Sequence, residues 1–435
     1  MAAPTEQIQT DKRAQALVEH CFRTEAGRLT AALTRYFGTA QIELAEDIVQ
    51  DTLIAALDAW SVGVIPDRPA AWLMRVAKNK ALNEVARRHA ARRNNDAMYA
   101  ALPTAVEIDE IFLEDEIRDS QLRMIFTCCH PALSLTSQIA LTLKTLCGFG
   151  VREVASALLT NESLINKRLY RARRTLRDKR PEFAIPAGEE LQERISAVGL
   201  TLYLMFNEGY SSSHADSIIR RDMCAEAMRL CRLLLEQFAE RPDLHALFAL
   251  MCLHAARFEA RTDEDGGIVI FEEQDRSLWN AELIAAGMRH LERSRTGREL
   301  SAWHLEAGIA AEHCTAPSFA ETNWDSIKHN YELLARLKPN PIIDLNIAIV
   351  SSCTEGAAEA VQRLDALERS GRLGDYYLLA AAQGMFRIKL GDLIGAESYL
   401  TRAHVLTASP AERRFIAKQL NAIKQHGMPH SPRAT

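Results

Sequence analysis

The stretch AEDIVQDTLIAALDAW, residues 45–60, has the 3.6-residue periodicity of an amphipathic helix. Ile48, Leu53 and Leu57 fall on the side that such a helix would turn toward a core. The opposite side carries the polar residues Glu46, Asp47, Gln50 and Asp51. An acidic outer face suits docking onto a basic partner helix, whereas on an isolated helix the same face would merely be solvated.

A second helix is predicted over residues 69–93, PAAWLMRVAKNKALNEVARRHAARR, starting at Pro69 after the loop SVGVIPDRP. Its inward positions are Trp72, Leu73, Val76 and Ala77, and its outward positions are Arg75, Lys78, Lys80, Asn83, Arg87 and Arg88. Cations beside a polar loop are suited to holding a DNA strand that is separated from its duplex. Trp60 and Trp72 could stack on bases, but we expect both to pack in the core.

Residues 151–179, VREVASALLTNESLINKRLYRARRTLRDK, predict two short helices around a polar turn. Thr160 or Asn161 can cap the second helix, with Glu162 in its first turn. Ile165, Leu169 and Ala172 form its apolar stripe, and the stretch carries eight basic residues against three acids. This is the pattern of a helix-turn-helix, although a solvated basic helix in an ordinary bundle would have the same composition.

The order of these stretches resembles the small extracytoplasmic-function sigma factors of bacterial RNA polymerase. Residues 45–60 and 69–93 resemble the second sigma region, and residues 151–179 resemble the fourth. The resemblance implies a protein that binds core RNA polymerase, directs it to promoter DNA and helps to melt the start-proximal element. It implies no catalytic residue, metal or cofactor.

The resemblance also assigns residues to partners. The β′ coiled coil of polymerase would be bound by Asp47, Gln50 and Asp51. Melted promoter DNA would be bound by Asp67, Asn79, Asn83, Arg87 and Arg88. The upstream duplex would be bound by Ser163, Leu164, Asn166, Lys167, Arg168, Arg171 and Arg174, with the β flap as the polymerase contact of this region. Family members commonly have a threonine where this chain has Leu164, which leaves the sequence of the upstream promoter element open.

Four zones are predicted along the chain: sigma region 2 at 10–95, an acidic linker at 96–119, sigma region 4 at 120–180, and a helical extension at 190–425. The fold class is all-α, with two small helical sigma domains and a helical-repeat domain. One strand is predicted in GGIVIFEEQ, residues 266–274.

The linker holds seven carboxylates, Glu107, Asp109, Glu110, Glu114, Asp115, Glu116 and Asp119. In the family this segment runs through the active-site cleft and the RNA exit channel, so the carboxylates would imitate nucleic acid. A flexible acidic spacer explains the same composition equally well.

The long extension resembles that of a sigma-factor subgroup whose genes often lie beside genes for small DGPF-motif (YCII-like) proteins. The subgroup's extension is described as tetratricopeptide-like. Residues 377–410 support this, since they predict two helices around a turn at Gly391, closed by Pro410. Stacked helix pairs form concave surfaces, so a protein or peptide partner is expected here.

Charge differs between the two parts of the chain. Residues 1–181 carry 25 Lys and Arg against 22 Asp and Glu, a net charge of +3, and the remainder carries −8. We therefore expect only the first part to bind a polyanion.

An acidic extension could clamp the basic DNA-binding faces in place of a separate anti-sigma protein. A truncation near Pro186 would then transcribe more strongly, whereas weaker transcription would indicate an activating extension.

Bulk features predict a cytoplasmic protein without membrane segments or a signal peptide. The nine cysteines lack CxxC spacing, so reduced and mostly buried thiols are expected. Cys128, Cys129 and His130 are assigned to core packing in preference to a metal site.

The alternative function is a free-standing helix-turn-helix regulator with a ligand- or protein-sensing helical domain. A third option, an enzyme domain fused to a DNA-binding module, has less support from the sequence.

Overall fold

The computed structural model describes residues 4–62, 65–93, 111–158, 160–210, 221–263, 267–407 and 409–426. Regular structure in these ranges is almost entirely α-helical, and they contain no β-strand. The prediction of an all-α fold is confirmed. None of the helices in these ranges is both long and apolar enough to cross a membrane.

The chain divides into two compact units, Met1–Met205 and Phe206–Thr435. The two predicted sigma regions, the first block at 10–95 and the second block at 120–180, both lie in the first unit, although the sequence predicts them as separate domains. The helices of this unit are α1 (Pro4–Phe37), α2 (Ile42–Ser61), α3 (Pro69–Arg93), α4 (Glu114–Cys128), α5 (Leu135–Thr145), α6 (Val151–Ala157), α7 (Glu162–Lys179) and α8 (Gly188–Tyr210). The last turns of α8 belong to the second unit.

Helices α1, α2 and α3 pack around one apolar core. Trp60 is fully buried in it, and the partly buried Trp72 packs against Trp60 with ring centroids 5.5 Å apart. The expected core role of both tryptophans is confirmed. The inward placement of Leu57 is wrong, because this side chain is 39% exposed. Ala56 and Trp60 form the end of the buried stripe of α2. Successive residues of an α-helix are rotated by about 100°, so Leu57 points away from the core that Ala56 faces.

Helix α1 also joins the first block to the second. Gly27 of α1 lies against the end of α5 so closely that a Cβ at this position would be 1.9 Å from the carbonyl oxygen of Leu146. Only glycine lets the two backbones approach in this way. The two blocks are therefore packed directly against each other within the first unit.

The start of α8 completes the core of the first unit. Arg194 of α8 donates a hydrogen bond to the carbonyl oxygen of Phe126 in α4. Cys128 and Cys129 are 0% and 1% exposed, and the Cys129 thiol lies 3.7 Å from the hydroxyl of Thr201. Burial raises the pKa of the Cys129 thiol to about 11. The prediction that this cysteine pair packs in the core is confirmed.

The predicted strand at 266–274 is wrong. The described part of this segment forms one isolated antiparallel bridge, between Thr262 and Ile268. A 3₁₀ turn follows at Phe271–Glu273, so the backbone leaves the extended conformation before a second bridge can form. A two-stranded ribbon without a further strand has little stability of its own.

The second unit consists of helices packed mainly in sequence order. They are α9 (Arg221–Gln237), α10 (Pro242–Ala255), α11 (Ala281–Ser294), α12 (Ala302–Thr315), α13 (Trp324–Leu337), α14 (Pro341–Thr354), α15 (Ala357–Arg369), α16 (Tyr377–Lys389), α17 (Leu393–Leu406) and α18 (Pro410–His426). Helix α10 is buried on nearly every side and packs against α9, α11 and α12. A helix that is apolar all round belongs inside a helical layer, as found here.

The helix pair expected in residues 377–410 is confirmed as α16 and α17. Gly391 occupies the turn between them with φ of 78°, a left-handed conformation that favours glycine. Gly384 of α16 faces Leu400 of α17, whose Cγ would be 2.6 Å from an added Cβ. The pair is therefore closely packed, while its assignment to the tetratricopeptide class stays a prediction.

Candidate polymerase and promoter interfaces

The outer face of α2 carries the residues predicted to bind polymerase. Asp47, Gln50 and Asp51 are all exposed. Two apolar side chains continue the same face by helical spacing, Ile54 at 57% exposure and Leu57 at 39%. Sequence reasoning missed Ile54 as part of this face, although its position three and four residues after Asp51 and Gln50 was a signal. We call these five residues the α2 stripe.

Glu46 does not belong to this exposed face, which corrects its predicted position. Its side chain is 14% exposed, and its Oε2 lies 2.6 Å from Nη2 of Arg173 in α7. The hydroxyl of Thr145 donates to the other carboxylate oxygen at 2.9 Å. Lys144 lies nearby, where burial lowers the pKa of its ammonium and the Glu46 carboxylate opposes that effect. Glu46 is thus a contact between the two blocks.

Two further contacts join α7 and its C-terminal flank to the start of α2. Arg177 pairs with Glu43, and the Thr39 hydroxyl donates to the carbonyl oxygen of Pro181 at 2.8 Å. Arg177 and Arg173 therefore point two cations of α7 at α2.

The helix-turn-helix forms as the sequence predicts. Asn161 caps α7, since its side chain accepts a hydrogen bond from the backbone N–H of Leu164 at 2.9 Å. The expected stripe of Ile165, Leu169 and Ala172 is buried and continues to Leu176. The exposed predicted contacts are Ser163, Leu164, Asn166, Lys167, Arg171 and Arg174, and Arg168 is half-buried.

The outer face of α3 holds the residues predicted to contact melted DNA. Asn79, Asn83 and Arg87 are exposed, Arg88 is half-buried, and Asp67 is exposed in the loop before the helix. Sequence reasoning missed the residue that organises this face, Glu84. Its carboxylate accepts hydrogen bonds from Nε of Arg87 at 2.8 Å and from Nε of Arg88 at 2.7 Å.

Glu84 fixes the two arginines on α3. The hydrogen bond from Arg87 is the largest influence that lowers the pKa of the Glu84 carboxyl, and Arg88 acts in the same direction. Arg88 also approaches the side-chain oxygen of Gln41 at 3.5 Å. The signal in the sequence was the spacing, because residues three and four apart on a helix are neighbours.

The acidic linker as predicted ends inside α4, which begins at Glu114. Glu114 accepts hydrogen bonds from Arg28 at 2.6 Å, and Arg35 pairs with Glu116 and Asp119. These three carboxylates therefore bind α1. Asp115 is exposed in the first turn of α4, and the other three acidic linker residues, Glu107, Asp109 and Glu110, lie outside the described residues.

Known families match three parts of the chain. Residues 21–91 match sigma-70 region 2, residues 123–176 match sigma-70 region 4, and residues 194–295 match a family of unknown function, DUF6596. An uncharacterized protein of Rhizobium meliloti (strain 1021) is 34% identical over 397 residues, which cover 90% of this chain and 92% of the relative. No solved structure matches.

The two sigma matches contain the α2 stripe, the outer face of α3 and the helix-turn-helix, and DUF6596 follows them. Sigma regions imply RNA polymerase and promoter DNA as partners in transcription initiation. The chain belongs to the extracytoplasmic-function sigma factors that carry a C-terminal extension.

Proposed function

We propose that this sigma factor binds the β′ coiled coil of core RNA polymerase through the α2 stripe. The observation that carries the proposal is the composition of the stripe, in which three exposed polar residues adjoin the exposed Ile54 and Leu57. Acidic groups attract a basic helix, and apolar side chains supply the area that becomes buried on contact. A solvated helix face would need only the polar residues.

The outer face of α3 would then hold the melted promoter strand. Arg87 and Arg88 are positioned by Glu84, so their planar guanidinium groups are ordered before DNA arrives. Asn79, Asn83 and Asp67 supply amide and carboxylate groups on the same side of the helix or in the loop before it. Polar side chains beside cations can bind both the phosphates and the edges of unpaired bases.

The upstream duplex would be bound by the exposed start of α7. Ser163, Leu164, Asn166 and Lys167 occupy the first turns after the Asn161 cap, which is the part of a recognition helix that reaches base edges. Arg168, Arg171 and Arg174 follow as phosphate contacts. The β flap would hold this block on polymerase.

The C-terminal extension would regulate these activities or bind a partner protein. Its size and the net charge of −8 of residues 182–435 support a clamp on the basic DNA-binding faces, and linkage in one chain would raise the effective concentration of such a clamp. A truncation near Pro186 would remove α8 and uncover Cys129 and Phe126. A truncation after Met205 keeps the part of α8 that belongs to the first unit, residues 188–205, and tests the loss of the second unit alone.

The deciding experiment is transcription in vitro with purified core polymerase and the DNA upstream of the gene for this chain. Full-length protein and the truncation after Met205 are compared, and binding to core polymerase is scored in the same samples. We expect core binding and specific transcripts that depend on the added protein. Absence of core binding by both proteins would reject the proposal and favour a free-standing DNA-binding regulator.

A further inference from the structure

A long irregular segment connects α10 and α11 in the second unit. It covers residues 256–280, and its described part contains only 3₁₀ turns and one isolated bridge. Connections between packed helices usually have about 2 to 8 residues, and longer ones are often functional. The segment lies within the DUF6596 match, to which no activity is attached.

Three arginines of this segment pack on aromatic rings. The guanidinium carbon of Arg261 lies 3.7 Å from the ring centroid of Tyr210. Arg257 lies 4.6 Å from the centroid of Phe271, and Arg276 lies 4.5 Å from that of Trp279. Arg257 and Arg276 share these two rings, since each is also within 6 Å of the other's ring. We call Arg257, Arg261 and Arg276 the arginine cluster.

None of the three cations forms an ion pair with a carboxylate within the described ranges. Their hydrogen bonds go to neutral oxygens. Arg257 donates to the Tyr210 hydroxyl at 2.6 Å and Arg261 to the Tyr210 carbonyl at 2.7 Å. Arg276 donates to the carbonyls of His313 and Ala316 at 2.8 and 2.6 Å.

Two hydrogen-bond donors of the site are buried and have no partner among the described residues. They are Nη2 of Arg276 and the indole Nε1 of Trp279, a side chain that is only 8% exposed. A buried donor without an acceptor destabilises the fold, and groups of this kind are rare in proteins. Both donors belong to residues that contact each other, since the guanidinium carbon of Arg276 lies 4.5 Å from the ring centroid of Trp279.

Burial and neighbouring cations act in the same direction on these groups. Burial lowers the pKa of the Arg261 and Arg276 guanidinium groups, and the charge of Arg257 lowers both further. Burial lowers the pKa of His313 to about 3, with Arg257 and Arg276 adding to the effect. The Glu321 carboxylate acts on Arg276 in the opposite direction but accepts its hydrogen bond from Ser318.

We propose that the arginine cluster is the binding site of a small oxyanion ligand, one that carries a phosphate or a carboxylate group. Cations that are partly buried are normally paired with a carboxylate, and none of the described carboxylates forms an ion pair with these three half-buried arginines. Guanidinium groups bind phosphate and carboxylate oxygens in the plane of their N–H donors, and the Trp279 indole N–H adds a donor. Arg257 and Arg276 bind the anion, and Arg261 adds positive charge.

The test uses the full-length chain and two probes, sodium phosphate and sodium succinate, at an ionic strength held constant with sodium chloride. We expect one probe to raise the unfolding temperature in a saturable manner, and the identity of that probe separates the two sources of the anion. In Arg257→Gln the apparent affinity should fall about tenfold or more, the loss typical of one charge-assisted hydrogen bond. Arg295→Gln is the matched control, since Arg295 is 74% exposed and lies in the same unit.

A second variant keeps the test decisive if Arg257→Gln does not fold. Trp279→Phe preserves the aromatic ring and removes the indole N–H, so the same probe should bind severalfold more weakly. Titration of the unaltered protein needs no variant at all. The proposal is overturned if neither probe gives a saturable shift, or if the two site variants bind the probe as tightly as Arg295→Gln.

Discussion

Glu46 of α2 and Arg173 of α7 form an ion pair across the junction of the two sigma regions, with 2.6 Å between the charged atoms. The two side chains are 14% and 18% exposed, and Thr145 occupies the second oxygen of the carboxylate. The pair therefore connects α2 to α7. Gly27 keeps α1 close to the end of α5, where Thr145 donates to Glu46.

The first prediction concerns this ion pair. In Glu46→Gln the guanidinium of Arg173 keeps its charge but loses the carboxylate that it pairs with. We therefore expect the unfolding free energy of the first unit to fall by about 2–4 kcal/mol. Urea unfolding followed by circular dichroism measures this loss. Arg174→Gln serves as the control, because Arg174 is 66% exposed and reaches Asp178 only at 3.8 Å. Equal stability of the two variants would show that the junction does not depend on the pair.

The second prediction concerns the α2 stripe. Ile54→Ala removes apolar area that is exposed in the free protein, and we expect the affinity for core polymerase to fall about tenfold. The unfolding free energy should stay unchanged, because Ile54 is 57% exposed. Fluorescence anisotropy of labelled protein titrated with core polymerase measures the affinity. Val62→Ala, at a residue 72% exposed just after α2, should bind like the unaltered chain. A normal affinity in Ile54→Ala would remove Ile54 from the interface.

Local features of both sigma regions could be predicted from the sequence. The stripe of Ile165, Leu169 and Ala172 depends on neighbours within one turn or two, so helical spacing was sufficient. The sequence left the cap open between Thr160 and Asn161, and the structure has Asn161. Spacing does not reveal which other helix covers a face. Glu46 looked exposed for this reason, because Arg173 and Thr145 are about 100 residues or more away in the chain.

The candidate anion site was beyond sequence reasoning for the same physical reason. Arg257 and Arg276 converge only because the segment after α10 folds back through 3₁₀ turns onto Phe271 and Trp279. The alternating residues of this segment suggested a strand. An extended strand would have separated the two arginines, whereas the irregular backbone brings them to the same pair of rings.

The third prediction concerns Glu84. In Glu84→Gln the amide lacks the charge that holds Arg87 and Arg88, so binding of a single-stranded promoter fragment by the polymerase complex should weaken about tenfold. An electrophoretic mobility-shift assay with that single-stranded fragment measures the binding. Glu43→Gln is the control, since Glu43 lies on α2 and pairs with Arg177. Unchanged single-strand binding in Glu84→Gln would mean that the two arginines do not need this carboxylate.

Glu84 also predicts a pH dependence. Its carboxyl pKa is lowered in the folded chain from the ordinary 4.5, so the unfolded chain binds this proton more readily. The stabilisation is present above pH 4.5 and is lost as the pH falls through the folded value. The difference in unfolding temperature between the unaltered chain and Glu84→Gln should therefore be constant near pH 7 and shrink below pH 4.5. A difference that does not shrink as the pH falls below 4.5 would contradict the charge interaction.

The fourth prediction concerns His290 in α11, whose Nδ1 lies 2.8 Å from Nδ1 of the buried His245. Burial, followed by His245 and the neighbouring Arg293 and Arg289, lowers the pKa of His290 to about 4. Between pH 6.5 and 4 the unfolded chain therefore carries a proton on His290 that the folded chain does not, and stability falls as the pH is lowered through this window. His290→Gln cannot titrate, so it should lose less stability than the unaltered chain between pH 6.5 and 4.5 in urea unfolding. His329→Gln, at an exposed position of the same unit, should keep the full pH dependence. Parallel pH profiles of the unaltered chain and His290→Gln would show that another group is responsible.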